Sequence, residues 1–298
     1  MTNVLSQKAV LARVEFRSWA GRIKDLKVTA EVIEKHKAKS RAGTFTKRLV
    51  SIEALADVNA AISQAARYHR YHTQPWLDEG VRILPTALFL EYQEKMDGFK
   101  KEFDKAANRF ITDYKKFIEQ AQDLLGTMFT DTEYPTVAAM KEKFAMTFNF
   151  LPCPDAGDFR CDIDDKHLDQ IKSELDGQMK DQMRAALADS ARKALEVVSR
   201  MSERLNAYTP PKKKAEKKKG ENAEGTFRDS LVENVKEIAA LLPAFNINND
   251  PKMNKLISRI NKELCVTDAA TLRKDEVARK KVAKSAKEIT QAVEEFLA

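Results

Sequence analysis

Apolar residues recur at alternating steps of three and four along most of this chain, the spacing of one face of an α-helix. Phe16, Trp19, Ile23, Leu26, Ala30 and Ile33 follow that rule as a heptad seam and predict a helix over 6–39, broken at Gly43. Leu49, Ile52, Leu55, Ala56, Val58 and Ile62 predict a second helix over 46–71. Pro75, Gly80 and Pro85 mark 73–85 as a loop. The longest pattern is Tyr92, Met96, Phe99, Phe103, Ala106, Phe110, Phe117, Ala121 and Leu124, with Tyr114 between, which predicts a helix over 85–129. A matching stripe from Leu168 to Leu205, rich in Met, Leu and Ala, predicts another over 165–208. The two helices have similar lengths, each about 65 Å at 1.5 Å per residue, and each has a narrow seam. The economical expectation is an antiparallel, coiled-coil-like hairpin with the N-terminal helices at its base.

The period changes between the long helices. Tyr134-Pro135 starts a short helix to Lys143 with Thr136 in its early turn, then Phe144, Met146, Phe148 and Phe150 alternate with smaller or polar residues, a strand signature. Phe159 to Ile163 alternates again, so a small two-stranded tip over 134–163 is expected, covered by the short helix. Pro210 and Pro211 end the second long helix, and six lysines follow between Lys212 and Lys219. Three apolar stripes beyond Phe227 predict a small helical bundle, although one of marginal size. The expected fold is mainly α, divided into 1–84, 85–208, a lysine-rich linker over 209–226, and 227–298.

Composition supports that class. Nine Gly and nine Pro in 298 residues are too few for the closely spaced turns of an all-β sandwich. No run of about 18 apolar residues exists, and the first residues show no basic region followed by an apolar one, so neither a membrane span nor a secretory signal is expected. Three cysteines, an odd number without framework spacing, point to a reducing compartment and a cytoplasmic location. Charge is uneven. Residues 1–84 carry 15 Lys/Arg against 8 Asp/Glu, whereas 85–208 carry 18 against 23. A basic end of this kind suits a phosphate backbone, an acidic protein or simple solvation.

Candidate chemistry is sparse. His69 and His72 share a helix face, yet no acidic third ligand follows and Arg70 lies between them. Cys153, Cys161 and His167 lack zinc-site spacing, and Asp162, Asp164 and Asp165 are accounted for by a helix start. Neither a nucleophile elbow nor a phosphate-cradling glycine loop is present. A non-enzyme without metal or cofactor is therefore expected. Two basic clusters stand out as a nucleic-acid alternative: Lys35, Lys37, Lys39, Arg41, Lys47 and Arg48, and Lys212, Lys213, Lys214, Lys217, Lys218 and Lys219. The lysine run lacks interleaved aromatics for base stacking. At the tip, Phe148, Phe150, Asp158, Phe159 and Arg160 are the expected partner-binding residues.

Pro75-Trp76 with Gly80, Arg82, Leu84 and Pro85, together with Tyr134-Pro135, Phe144, Pro152, Pro154, Gly157, Asp158, Phe159 and Arg160, resembles an uncharacterised family of phage and prophage proteins. The resemblance covers about residues 5–208. Genes of that family often lie near MoxR-type AAA+ ATPases and von Willebrand A-type proteins. It implies a phage origin, a host cytoplasm and an ATPase partner, and it brings no catalytic residues. The leading expectation is an elongated, oligomeric helical protein that acts by binding a protein: an AAA+ ATPase, a host defence factor or a second copy. The alternative is a DNA-binding accessory protein that uses the basic end and the lysine run.

Overall fold

The computed structural model describes residues 4–77, 80–154, 165–209 and 226–298. It is mainly helical, 69 % helix against 11 % strand. The expected second tip strand, the lysine run and Asp158, Phe159, Arg160 and Cys161 lie outside the described residues. The chain forms two compact units, each drawn from separated stretches of sequence. One combines 1–12, 72–90 and 150–298; the other combines 13–71 and 91–149.

In place of the helix expected over 6–39, a short helix α1 (Val4–Lys8) leads into strand β1 (Ala9–Arg17). Strand β2 (Arg22–Lys24) and helix α2 (Leu26–Lys35) follow. Two local features override the heptad seam. Ala12, Val14 and Phe16 alternate with Arg13, Glu15 and Arg17, which is period two on a β-branched and aromatic side. Gly21 then adopts a left-handed φ of +61°, and its carbonyl accepts the Leu49 N–H at 2.8 Å. A Cβ there would sit 2.9 Å from both Leu55 Cδ1 and Val50 Cγ2, so the turn admits only glycine without rearrangement.

The second expected helix also starts later. Residues Thr46–Arg48 form strand β3, and the helix proper is α3 (Ala56–His72). Strands β4 (Gln74–Pro75) and β5 (Val81–Pro85) replace the expected loop over 73–85. Helix α4 (Phe89–Leu125) matches its expectation within a few residues. Its buried positions are Tyr92, Met96, Phe103, Ala107, Phe110, Tyr114, Ala121 and Leu125. Thus Ala107 and Leu125 replace the seam's Ala106 and Leu124, because a helix with 3.6 residues per turn drifts out of a strict heptad register. Trp19 packs on this stripe, 6.0 Å from the Phe110 ring and 5.8 Å from Tyr114. Helix α5 (Val137–Lys141) begins at Thr136, whose side chain accepts the Ala139 N–H.

Strand β6 (Ala145–Pro152) has the alternation read from its sequence, with Met146 buried and Thr147 and Asn149 exposed. It does not stand in an isolated two-stranded tip. It is the last strand of a four-stranded sheet ordered β4-β5-β1-β6. The sheet supplies the support that a lone pair of strands lacks in water. Within the first unit, Leu5, Ala9, Leu11, Val81, Ile83 and Cys153 cluster with Met179, Ala186 and Ile247. Burial pushes the Cys153 thiol up to about 11, so it behaves as an apolar group.

Helix α6 (Asp165–Asn206) is as long as expected. The antiparallel hairpin with α4 is not confirmed: the two helices fall almost wholly in different units. Within its own unit, α6 packs chiefly on α10 (Glu276–Leu297) and α7 (Ser230–Phe245). Small side chains permit this close packing. Ala191 and Ala194 are buried on α6, as are Ala283 and Ala286 on α10, and the Ser202 hydroxyl donates to the Ala283 carbonyl at 3.3 Å. Helices α8 (Pro251–Arg259) and α9 (Ala269–Lys274) complete the C-terminal segment. They begin at Asp250 and Asp268, whose carboxylates cap the first amides. Residues 227–298 pack on α6 through α7 and α10, and α7, α8, α9 and α10 also pack among themselves.

Candidate nucleic-acid interface

The basic segment 22–48 is held down by one buried charge cluster. Lys47 is buried, and its ammonium lies 3.0 Å from Asp25 Oδ2, 2.9 Å from Glu133 Oε2 and 2.7 Å from the Met128 carbonyl that accepts from it. Asp25 also caps α2 through the Val28 N–H at 3.0 Å. That amide bond, followed by the Lys47 hydrogen bond, holds the Asp25 carboxyl below its ordinary range. Burial alone would lower the Lys47 ammonium, but its bonds to Glu133 and Asp25 outweigh this and raise it. Lys47 was expected to be a phosphate contact. The structure corrects that role: the side chain is consumed as an internal anchor.

The anchor fixes a small basic surface. β2 and β3 pair antiparallel, with Arg22 opposite Arg48, Ile23 opposite Lys47 and Lys24 opposite Thr46. Because side chains alternate along a strand, Arg22, Lys24, Thr46 and Arg48 share the face opposite to Lys47. All four are exposed. Like charges directly opposite across strands repel, so the Arg22–Arg48 pair weakens this ribbon. Glu53 is the carboxylate that senses Arg48; its own backbone amide and the Ser51 hydroxyl lower it first, the Arg48 charge least. Among the described residues no salt bridge joins Arg22, Lys24 or Arg48 to an acid.

The chain then places Lys35, Lys37, Lys39 and Arg41 at and beyond the end of α2, all exposed. The return is tied back by Asp25 N–H to the Phe45 carbonyl at 3.0 Å and Phe45 N–H to Thr29 Oγ1 at 2.9 Å. Lys37 adopts a left-handed φ of 50° where a helix ordinarily ends in glycine. Glycine there should therefore stabilise the protein by about 0.5–1 kcal/mol. The same Lys37→Gly change should weaken polyanion binding, and thermal unfolding beside a binding titration would show the two effects moving in opposite directions.

Of the expected tip residues, Phe148 is half-buried and Phe150 packs on Phe89 with ring centroids 4.7 Å apart. His69 is buried, with its Nδ1 2.6 Å from the Tyr92 hydroxyl. Among the described residues no three His, Cys, Asp or Glu side chains gather as metal ligands. No described helix is long and apolar enough to cross a membrane.

Sequence reasoning missed Arg22 and Lys24 because it placed them on a helix flank. The available signal was the pair of short triplets Arg22-Ile23-Lys24 and Thr46-Lys47-Arg48, whose middle residues pair across the ribbon, although only Lys47 of the two is buried. No family model, curated protein or solved structure matches the chain. The resemblance to a phage family therefore rests on its motifs alone.

Proposed function

We propose that this protein is a polyanion-binding protein whose surface over 22–48 contacts the phosphate backbone of nucleic acid. The observation that carries this reading is the exposed Arg22–Arg48 pair, like charges held face to face by a ribbon that is itself pinned by Lys47. A bound phosphate relieves the repulsion, and Lys24, Lys35, Lys37, Lys39 and Arg41 extend the same charge sign along the segment. The contact is electrostatic and sequence-tolerant, since the segment offers one aromatic ring, Phe45. Fluorescence anisotropy with a labelled duplex at low salt tests it. Replacing Arg22, Lys24 and Arg48 together with Gln should weaken binding by about tenfold or more. Unchanged affinity would refute the assignment.

A second reading keeps the protein partner, whether an AAA+ ATPase, a host defence factor or another copy of this chain. Its support is the terminal place of β6 in the sheet and the exposed Leu151 on that strand, where a partner strand can add. A phage origin and a cytoplasmic setting belong to this proposal as well.

A further inference from the structure

The structure assigns a second anion site, in the other unit, to a cleft of about 310 Å³ between the end of α6 and the start of α7; we propose that it takes a phosphate monoester. Three arginines line it, Arg200 and Arg204 from α6 and Arg228 from the approach to α7. No acidic residue is among its lining residues, and among the described residues none of the three arginines has a salt bridge. Arg200 and Arg204 stand four apart on one helix, a spacing that puts both on the same side of it.

Neighbouring arginines show what a structural role looks like here. Arg273 donates to the Phe227 carbonyl at 3.0 Å, pairs with Asp229 and lies 5.1 Å from the Phe227 ring centroid. Arg279 donates to the Leu272 carbonyl at 3.0 Å and lies 4.6 Å from the Tyr208 ring centroid. Arg200, Arg204 and Arg228 have no comparable bond to carbonyl, carboxylate or ring among the described residues.

The start of α7 adds a second, independent feature. Asp229 occupies the N-cap position, yet its side chain caps no amide and instead pairs with Arg273. The 16-residue helix therefore begins without a side-chain cap, and its first residue Ser230, with Asn234 one turn on, lines the cleft. The Leu231, Val232 and Glu233 amides donate to the Arg228 and Asp229 carbonyls, so the helix start offers the cleft its positive dipole end rather than free donors. Three forked guanidiniums and a hydroxyl match a dianionic phosphate with three terminal oxygens better than a singly charged backbone diester. This inference does not depend on the reading of 22–48.

Isothermal titration calorimetry on the full chain tests it, with inorganic phosphate, a nucleoside monophosphate and the matching nucleoside as probes. Phosphate and the monophosphate should bind and the nucleoside should not. The Arg200→Gln/Arg204→Gln pair should weaken phosphate by about tenfold, and Arg228→Gln on the opposite wall should weaken it as well. Arg192→Gln, exposed on the same helix outside the cleft, should change it by less than about twofold. Equal losses in all variants, or no phosphate binding, would overturn the site. An oligonucleotide without terminal phosphate that displaces phosphate from the cleft would overturn the monoester assignment and give the site to a backbone. Because Arg22 and Arg48 are untouched in these variants, failure here leaves the duplex titration to decide the first reading separately.

Discussion

Replacing Lys47 with Met should destabilise the protein by about 3 kcal/mol, read from urea unfolding followed by circular dichroism. The loss comes from what the substitution leaves behind. Asp25 is buried and would keep its charge without its cation, while the partly exposed Glu133 would lose a partner at 2.9 Å. The Met128 carbonyl would also lose its donor. Glu133 Oε2, the oxygen that faces Lys47, is buried as well, so the cost falls in the range for a broken buried pair. Replacing all three, Lys47→Met with Asp25→Asn and Glu133→Gln, should recover part of the loss, since no charge is then stranded. A change below about 1 kcal/mol for Lys47→Met alone would mean that the cluster is solvated and anchors nothing.

The pH dependence of this cluster follows in sign. The Asp25 carboxyl is held below its unfolded value, so its contribution is present above about pH 4 and is lost as pH falls through the folded value. The Lys47 ammonium is held above its unfolded value, so its contribution is present below about pH 10 and is lost as pH rises through the folded value. The anchor should therefore hold throughout the neutral range.

The second large effect belongs to α4. Phe103 is fully buried, and replacing it with Asp should cost more than about 4 kcal/mol, the loss of a buried aromatic plus an uncompensated carboxylate. Leu124→Asp near the end of the same helix should be nearly neutral, within about 0.5 kcal/mol, because Leu124 is 55 % exposed. A strict heptad would make both positions core. The thermal unfolding of the two variants therefore reads the helix register directly, and similar losses in both would restore the heptad.

That contrast shows what the sequence discloses. Helices α4 and α6 were legible because their stripes persist over many turns, and β6 because period two survives four repeats. The short helix near Pro135 was legible, but its cap at Thr136 was not, since a threonine fits a first turn as readily as the position before it. The N-terminal region was not. Its apolar residues satisfy a helical seam and an alternating strand at once, and the choice was made by Gly21, whose left-handed turn closes against Val50 and Leu55 far along the chain. Partner choice was also hidden. A narrow stripe states that a helix needs cover but not which helix supplies it, and α6 takes α10 and α7. Among the basic residues, sequence could not separate Lys47 from its neighbours. Only pairing with β2 turns that one lysine inward while Arg48 stays outside.

The basic surface over 22–48 is the centre of this account, and the salt dependence of duplex binding tests it most directly. Anisotropy titrations across a range of salt concentrations should give a plot of log affinity against log salt that is linear, with a slope of about −3 to −5, equivalent to about four or five phosphates contacted. The Arg22→Gln/Lys24→Gln/Arg48→Gln variant should flatten that slope by about 2 to 3, one step for each phosphate contact removed. A slope near zero in the wild-type protein, or the same steep slope in the variant, would contradict the assignment of this surface.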